Sequence, residues 1–106
     1  MSSDQTLMTF GDAIDNAKNG EKIQRIGWNG KGMYVVWMPG NIYAPENITD
    51  NTAFHVGRDQ PLVVMPYFAM WTAQKTWQPG WLASQPDMLA EDWVIYRPPP
   101  PPPDEV

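Results

Sequence analysis

Two short strings of mixed aromatic and polar residues constrain this chain more than any other feature. The first, residues 25–32, reads Arg-Ile-Gly-Trp-Asn-Gly-Lys-Gly, and the second, residues 81–93, reads Trp-Leu-Ala-Ser-Gln-Pro-Asp-Met-Leu-Ala-Glu-Asp-Trp. Each string sets an indole beside hydrogen-bonding and charged groups within a short turn. A stable core alone does not require that combination, whereas a pocket for a flat heterocycle carrying phosphates does.

The length of the chain allows one small domain with a single core. We expect this domain to span residues 1–97 and a proline-rich, acidic tail to occupy residues 98–106. Six tryptophans among 106 residues can compensate for the small size, because each buries a large area. The chain has no cysteine, which excludes disulfides and thiolate metal sites and is typical of a reducing cytosol.

Charge and hydropathy exclude two classes of partner. The formal net charge of −5 argues against binding a nucleic-acid backbone, which requires a basic face. It leaves room for a small anionic ligand, since a pocket can be locally positive on an acidic protein. No apolar run approaches the roughly 20 residues that a membrane span needs, and nothing at the N-terminus is typical of a signal peptide.

The first half of the chain predicts a helix followed by two strands. Apolar residues at i, i+3, i+4 and i+7 predict a helix over residues 9–19, with Thr9 as its N-cap and Gly20 at its end. Residues 22–27 and 33–38 predict a hairpin with a tight turn at Asn29-Gly30. Residues 41–61 are turn-rich and hydrophilic, which favours a long surface loop with at most one helical turn near residues 52–54.

The second half predicts further strands around a short helix. Residues 62–65 and 66–72 are expected to form a strand pair, and residues 77–79 another extended piece. Ser84, Pro86 and Asp87 predict a capped helix start, and residues 92–96 a closing strand. The expected fold is α+β, with an N-terminal helix packed on a small, mostly antiparallel sheet and a short second helix near the C-terminus. The six consecutive prolines Pro98–Pro103 predict a disordered polyproline tail outside this fold.

The first string fits a hairpin with Trp28 as a core anchor and equally fits a ligand loop. Its glycines permit close approach of the backbone, and an indole face stacking on a purine contributes about 1–3 kcal/mol. Lys31 offers a point charge to a phosphate. The glycine spacing is not that of a P-loop.

The second string also fits two interpretations. Ser84 and Asp87 can simply cap an ordinary helix, with Trp93 in the core. Alternatively, Trp81 lies at the approach to a helix N-terminus, where anions are favoured, and Ser84 and Asp87 bind ribose hydroxyls or base edges.

The residue types predict neither a catalytic nor a metal site. His55 is the single histidine and lies in the polar loop, so no histidine-bearing metal site and no catalytic triad can be assembled. Glu91 and Asp92 could do acid–base work, but adjacent carboxylates late in a helix more often form a solvated face. We expect no cofactor.

Taken in order, the motifs resemble those of the phage Thoeris anti-defence protein two family. The resemblance covers residues 8–96 and rests on the two strings, on Phe10-Gly11 with Ala13 in the helix, and on Pro66-Tyr67-Phe68-Ala69-Met70 between the strings. It implies a non-enzymatic sponge that binds cyclic ADP-ribose isomers, acts in the cytoplasm of the infected bacterial host and blocks the Thoeris effector. Some relatives also hold cyclic dinucleotides in separate pockets, and the family assembles as homo-oligomers, commonly tetramers.

The resemblance also implies roles for residues of this sequence. Trp28 and Trp81 would stack on the ligand, and Asn29, Ser84 and Asp87 would supply polar contacts. Arg25 and Lys31 would be candidates for the phosphates. Two other functions stay open at this point: an enzyme that cleaves the same nucleotides with Asp87 or Glu91 as general base, and an interaction module that uses the proline tail.

Overall fold

A computed structural model describes residues 6–98. The tail from Pro99 onward, on which the polyproline prediction falls, lies outside the described residues. The elements in chain order are α1 (Phe10–Lys18), β1 (Ile23–Arg25), β2 (Tyr34–Met38), β3 (Asn41–Tyr43), a 3₁₀ turn (Pro45–Asn47), α2 (Asp50–Val56), β4 (Leu62–Val64), β5 (Tyr67–Trp71), β6 (Trp77–Pro79), α3 (Gln85–Leu89) and β7 (Trp93–Ile95). The expected fold class is confirmed: an N-terminal helix, a mostly antiparallel sheet and a short helix near the C-terminus.

The described chain divides into two compact units. One unit comprises the chain up to Trp37 together with the chain from Phe68 onward, and the other is Met38–Tyr67. The expectation of one ligand-binding domain over residues 1–97 stays a prediction.

The larger unit is organised by a five-stranded sheet in the order β6-β5-β2-β1-β7. In this sheet β1 pairs antiparallel with both β2 and β7, and the register places Arg25 opposite Trp93. That register brings the end of the first string beside the end of the second, although the two residues are far apart in sequence.

Helix α1 closes the core on this sheet. Thr9 caps it by accepting a hydrogen bond from the backbone N–H of Asp12, as predicted, and its small residues Ala13 and Ala17 are fully buried. The buried core comprises Ala13, Ala17, Ile23, Val35, Met70 and Trp93. Small side chains on α1 let the helix approach β1 and β7 closely enough for the indole of Trp93 to be enclosed.

Three details of the sequence prediction are wrong. The connection between β1 and β2 runs over residues 26–33 and is not a two-residue turn at Asn29-Gly30. Residues 41–61 are not a long loop, because they form β3, a 3₁₀ turn and α2, which is capped by Thr49 and contains the helical turn expected near residues 52–54. Residues 62–64 pair with β3 in a separate two-stranded sheet and not with the strand that follows them.

The smaller unit contains an apolar groove. The groove has a volume of about 400 Å³, and none of the seven predicted site residues lines it. Its lining residues are Tyr43, Asn47, Ile48, Thr49, Thr52, Leu62 and Val64.

Candidate functional site

The carboxyl-terminal helix α3 is fixed by a capping box. The hydroxyl of Ser84 accepts a hydrogen bond from the backbone N–H of Asp87 at 3.2 Å, and Oδ2 of Asp87 accepts one from the backbone N–H of Ser84 at 3.2 Å. Pro86 in the first turn fits a helix of only five residues, since its missing N–H would be unpaired there in any case. The predicted helix start is therefore confirmed, and one oxygen of Asp87 is committed to it.

The other oxygen of Asp87 binds the first string. Oδ1 accepts hydrogen bonds from Nη1 of Arg25 at 2.9 Å and from the indole Nε1 of Trp28 at 3.0 Å. The backbone carbonyl of Asp87 accepts a third donor, Nε1 of Trp93, at 2.9 Å. Asp87 is a buried charged residue. The cost of burying its carboxylate is offset by three donors: the guanidinium of Arg25, the indole of Trp28 and the backbone N–H of Ser84.

Asp92 forms a second anchor for the same loop. Its Oδ1 accepts from Nε of Arg25 at 2.9 Å, and its Oδ2 accepts from the backbone N–H of Gly27 at 2.8 Å. Arg25 thus bridges two carboxylates. The expectation of a solvated Glu91-Asp92 face on a helix is wrong for Asp92, because α3 ends at Leu89 and the Asp92 side chain is held by Arg25.

Three indoles pack edge to face beside these carboxylates. Trp28 lies 5.3 Å from Trp93 and 6.3 Å from Trp81 between ring centroids, and Trp81 lies 6.3 Å from Trp93, all with interplanar angles above 70°. Edge-to-face packing is a favoured geometry for aromatic pairs. Trp93 is fully buried, which confirms its expected core position, whereas Trp28 and Trp81 are half-buried.

The hydrogen bonds set the protonation of the charged groups. Burial raises the pKa of Asp87, but hydrogen bonds from Trp28, Arg25 and Ser84 outweigh it and hold that pKa below its usual value. The pKa of Asp92 is also below its usual value, because Asp92 accepts a hydrogen bond from Arg25. Hydrogen bonds to Asp92 and Asp87 in turn raise the pKa of Arg25. All three groups are therefore charged near neutral pH, and the trio carries a net charge of −1.

The structure brings five of the seven predicted site residues together: Arg25, Trp28, Trp81, Ser84 and Asp87. Asn29 and Lys31 follow Trp28 with exposed side chains, and within residues 6–98 no hydrogen bond or ion pair ties them to the other five. Asp92 and Gly27 take part in the site but were not predicted. Asp92 lies within the second string, yet its partner is 67 positions away, and no local pattern signals that pairing.

Metal binding finds no support in this part of the chain. Among residues 6–98 there is no group of three or more histidine or carboxylate residues that could hold a metal ion. No helix in the same range is both long and apolar enough to cross a bilayer.

The fold and site define a small α+β protein with two half-buried indoles, of which Trp28 is anchored by the buried carboxylate of Asp87. Comparison with known proteins identifies the family of a protein with this fold and site. The family described as Thoeris anti-defense 2-like domain matches residues 8–96. The protein named Thoeris anti-defense 2 from Bacillus phage SP01 is 31% identical over 93 residues, which cover 86% of this chain and 97% of that protein. The chain therefore belongs to the Thoeris anti-defense 2-like family, and this membership supports a phage anti-defence role.

The anchored carboxylates predict a specific acid sensitivity. Because the pKa of Asp87 is lower in the folded protein than in the unfolded chain, its stabilisation is present above about pH 4 and is lost as pH falls through the native pKa. The free energy of unfolding of Asp87→Asn should therefore change less between about pH 5 and pH 2 than that of the wild type. Urea titrations at each pH measure the two profiles, and parallel profiles would contradict the assignment.

Proposed function

We propose that this protein is a phage anti-defence sponge. It binds cyclic ADP-ribose-type immune signalling nucleotides, keeps them intact and so blocks activation of the Thoeris effector. We propose cyclic dinucleotides as a second class of ligand for the same protein. Its place of action in this proposal is the cytoplasm of the infected bacterial host.

One observation carries the proposal: two half-buried indoles are held in place beside exposed polar side chains. Trp28 is fixed by its bond to Asp87 and by its packing on Trp93, so it does not need to be ordered when a ligand arrives. Preorganisation of this kind reduces the entropic cost of binding. An indole that stacks on a purine contributes about 1–3 kcal/mol, which suits a protein that must hold its ligand tightly.

The seven predicted residues divide into two groups in this proposal. The first group faces the ligand and provides the cation for a phosphate, Lys31; its other members are Trp28, Trp81, Asn29 and Ser84. Arg25 and Asp87 are already bound to each other and support the others. Arg25, Asp87 and Asp92 together carry a net negative charge, which disfavours a phosphate beside them. The exposed Lys31 is therefore the more suitable cation for a phosphate.

The geometry disfavours the alternative of a nucleotide-cleaving enzyme that uses Asp87. Both oxygens of this carboxylate accept hydrogen bonds from the protein, and its lowered pKa makes it a weak base. Sequestration requires no base at all, which is why we favour binding without turnover. The other alternative, an interaction module that uses the proline tail, stays a prediction, because residues 99–106 lie outside the described residues.

Self-association is part of the proposal. Leu82 and Leu89, before and within α3, are 88% and 77% exposed, and Met88 between them is 40% exposed. A contiguous patch of exposed apolar side chains commonly marks a surface that a partner covers, and we propose that these three residues belong to such a patch. We infer a homo-oligomer, with a tetramer as the expected form, in which the α3 region is covered by another copy.

Recovery of bound nucleotide tests sequestration directly. The protein is incubated with a panel of cyclic ADP-ribose isomers, separated from unbound nucleotide by filtration and then denatured. We expect chromatography and mass spectrometry to recover an intact isomer, in an amount that does not exceed the protein. Ring-opened product in molar excess over protein would identify an enzyme, and absence of binding to every isomer would contradict the sponge. Heat-denatured protein is the control for carry-over.

Lys31 offers a second test with a matched control. Lys31→Gln should weaken binding of the captured isomer about tenfold, since a hydrogen bond to a charged group contributes about 1.5 kcal/mol. Lys18→Gln makes the same charge change in the last turn of α1 and should leave the affinity unchanged. Both variants should keep the wild-type free energy of unfolding within about 0.5 kcal/mol.

Calorimetry at two salt concentrations completes this test. The difference between Lys31→Gln and wild type should shrink at high salt, because exposed charges are screened. Equal affinities for the two lysine variants would remove Lys31 from the ligand-facing group.

A further inference from the structure

The side chain of Asp92 has no assigned role, yet it holds the start of the loop over residues 26–33. We propose that Asp92 is a positioning residue for the nucleotide site: through Arg25 and the backbone of Gly27 it fixes the loop that carries Trp28, Asn29 and Lys31, without touching the ligand. This inference rests on the proposed function and deepens it.

Asp92 grips the loop through its backbone as well as its side chain. Its carbonyl oxygen accepts the N–H of Ile26 at 3.1 Å, and its carboxylate accepts the N–H of Gly27 at 2.8 Å. The next N–H, that of Trp28, donates to the carbonyl of Arg25 at 3.3 Å and closes the turn. Three consecutive N–H groups are thus satisfied, and two of them by Asp92.

Arg25 connects Asp92, and the loop that Asp92 holds, to α3. Its Nε donates to Asp92 and its Nη1 donates to Asp87, each at 2.9 Å. Asp87 in turn binds the indole of Trp28. The path from Asp92 through Arg25 and Asp87 therefore fixes the side chain of Trp28, while the path through Gly27 fixes its backbone.

Gly27 leaves the space that the carboxylate occupies. A Cβ at this position would lie 2.9 Å from Oδ2 of Asp92 and 3.3 Å from Nη2 of Arg25. Any side chain here would push the carboxylate away from the Gly27 N–H. The absence of a Cβ at position 27 is thus a steric requirement of the clamp formed by Arg25, Gly27 and Asp92.

The clamp is better suited to setting position than to adding stability. The side chains of Arg25 and Asp92 are 19% and 30% exposed. Ion pairs that water can reach contribute little to folding, typically about 0–1 kcal/mol. Loss of Asp92 should consequently loosen the loop without unfolding the core, and this separates a positioning role from a structural one.

The test uses Asp92→Asn with Glu91→Gln as a matched control. In asparagine an NH₂ group replaces one of the two carboxylate oxygens, so either Nε of Arg25 or the N–H of Gly27 then faces another donor. Glu91→Gln removes the same charge from the exposed neighbouring side chain. Amide hydrogen exchange is followed without ligand, and binding of the isomer that the wild type captures is followed by calorimetry.

For Asp92→Asn we expect about tenfold faster exchange of the amides of Gly27 and Trp28, unchanged exchange of Ile23 and Val35 in the strands, and about tenfold weaker binding. Glu91→Gln should match the wild type in all three readouts. Should Asp92→Asn fail to fold, Gly27→Ala replaces it, and we expect the same local loosening to a smaller degree.

Each contrary outcome has one meaning. Loop exchange in Asp92→Asn equal to that in Glu91→Gln overturns the clamp. A loosened loop with unchanged affinity overturns its role in positioning the ligand. If the wild type binds no cyclic ADP-ribose isomer, the proposed function fails and the positioning role fails with it, whereas binding by both the wild type and Asp92→Asn with equal affinity overturns the positioning role alone.

Discussion

The buried carboxylate of Asp87 is the interaction on which the rest of the site depends. It caps α3 through Ser84, pairs with Arg25 from β1 and holds the indole of Trp28. Its backbone carbonyl binds the indole of Trp93, which fills the centre of the core. Burying a carboxylate costs free energy unless its oxygens accept hydrogen bonds. Here the donors come from two segments some 60 positions apart in sequence. Folding and assembly of the site are therefore the same event.

This arrangement explains how a small protein can present tryptophans without losing them to the core. The hydrogen bond from Trp28 to Asp87 determines where the N–H edge of this half-buried indole points. The same bonds occupy both oxygens of Asp87, one of the two carboxylates that the enzymatic alternative would use as a base. The family relationship supports a phage anti-defence role, and binding without turnover is our proposal for how this site serves that role.

Sequence reasoning succeeded where the determinants are local. The periodicity of α1 and its Thr9 cap, and the capping box of Ser84 and Asp87, are readable within one turn of helix. It failed for residues 41–61, because β3 has only three residues and α2 has no buried residue that would give it a visible periodicity. Only a helical turn near residues 52–54 was predicted within α2, and the Thr49 cap was not recognised.

The residues that the structure brings together were predicted better than the hydrogen bonds and ion pairs between them. Both strings were expected to contribute residues to the ligand site, and Arg25, Ser84 and Asp87 are among those that meet in the structure. The partners of Arg25 were not predicted, because pairing with Asp87 and Asp92 follows from the register of β1 against β7, which only the folded chain defines. The family resemblance made Arg25 a candidate for a phosphate, and in the structure its guanidinium binds these two carboxylates.

A double-mutant cycle between Trp28→Phe and Asp87→Ala is the most direct measurement of the central claim. The free energy of unfolding of the two single variants and the double variant, from urea titration, gives the coupling of the indole N–H to the carboxylate. We expect a coupling of about 1.5 kcal/mol, the usual contribution of a hydrogen bond to a charged group. A cycle with Trp77→Phe, on an exposed indole, should be additive. Additivity within about 0.3 kcal/mol for Trp28 and Asp87 would contradict the account, since the indole would then be held by packing alone.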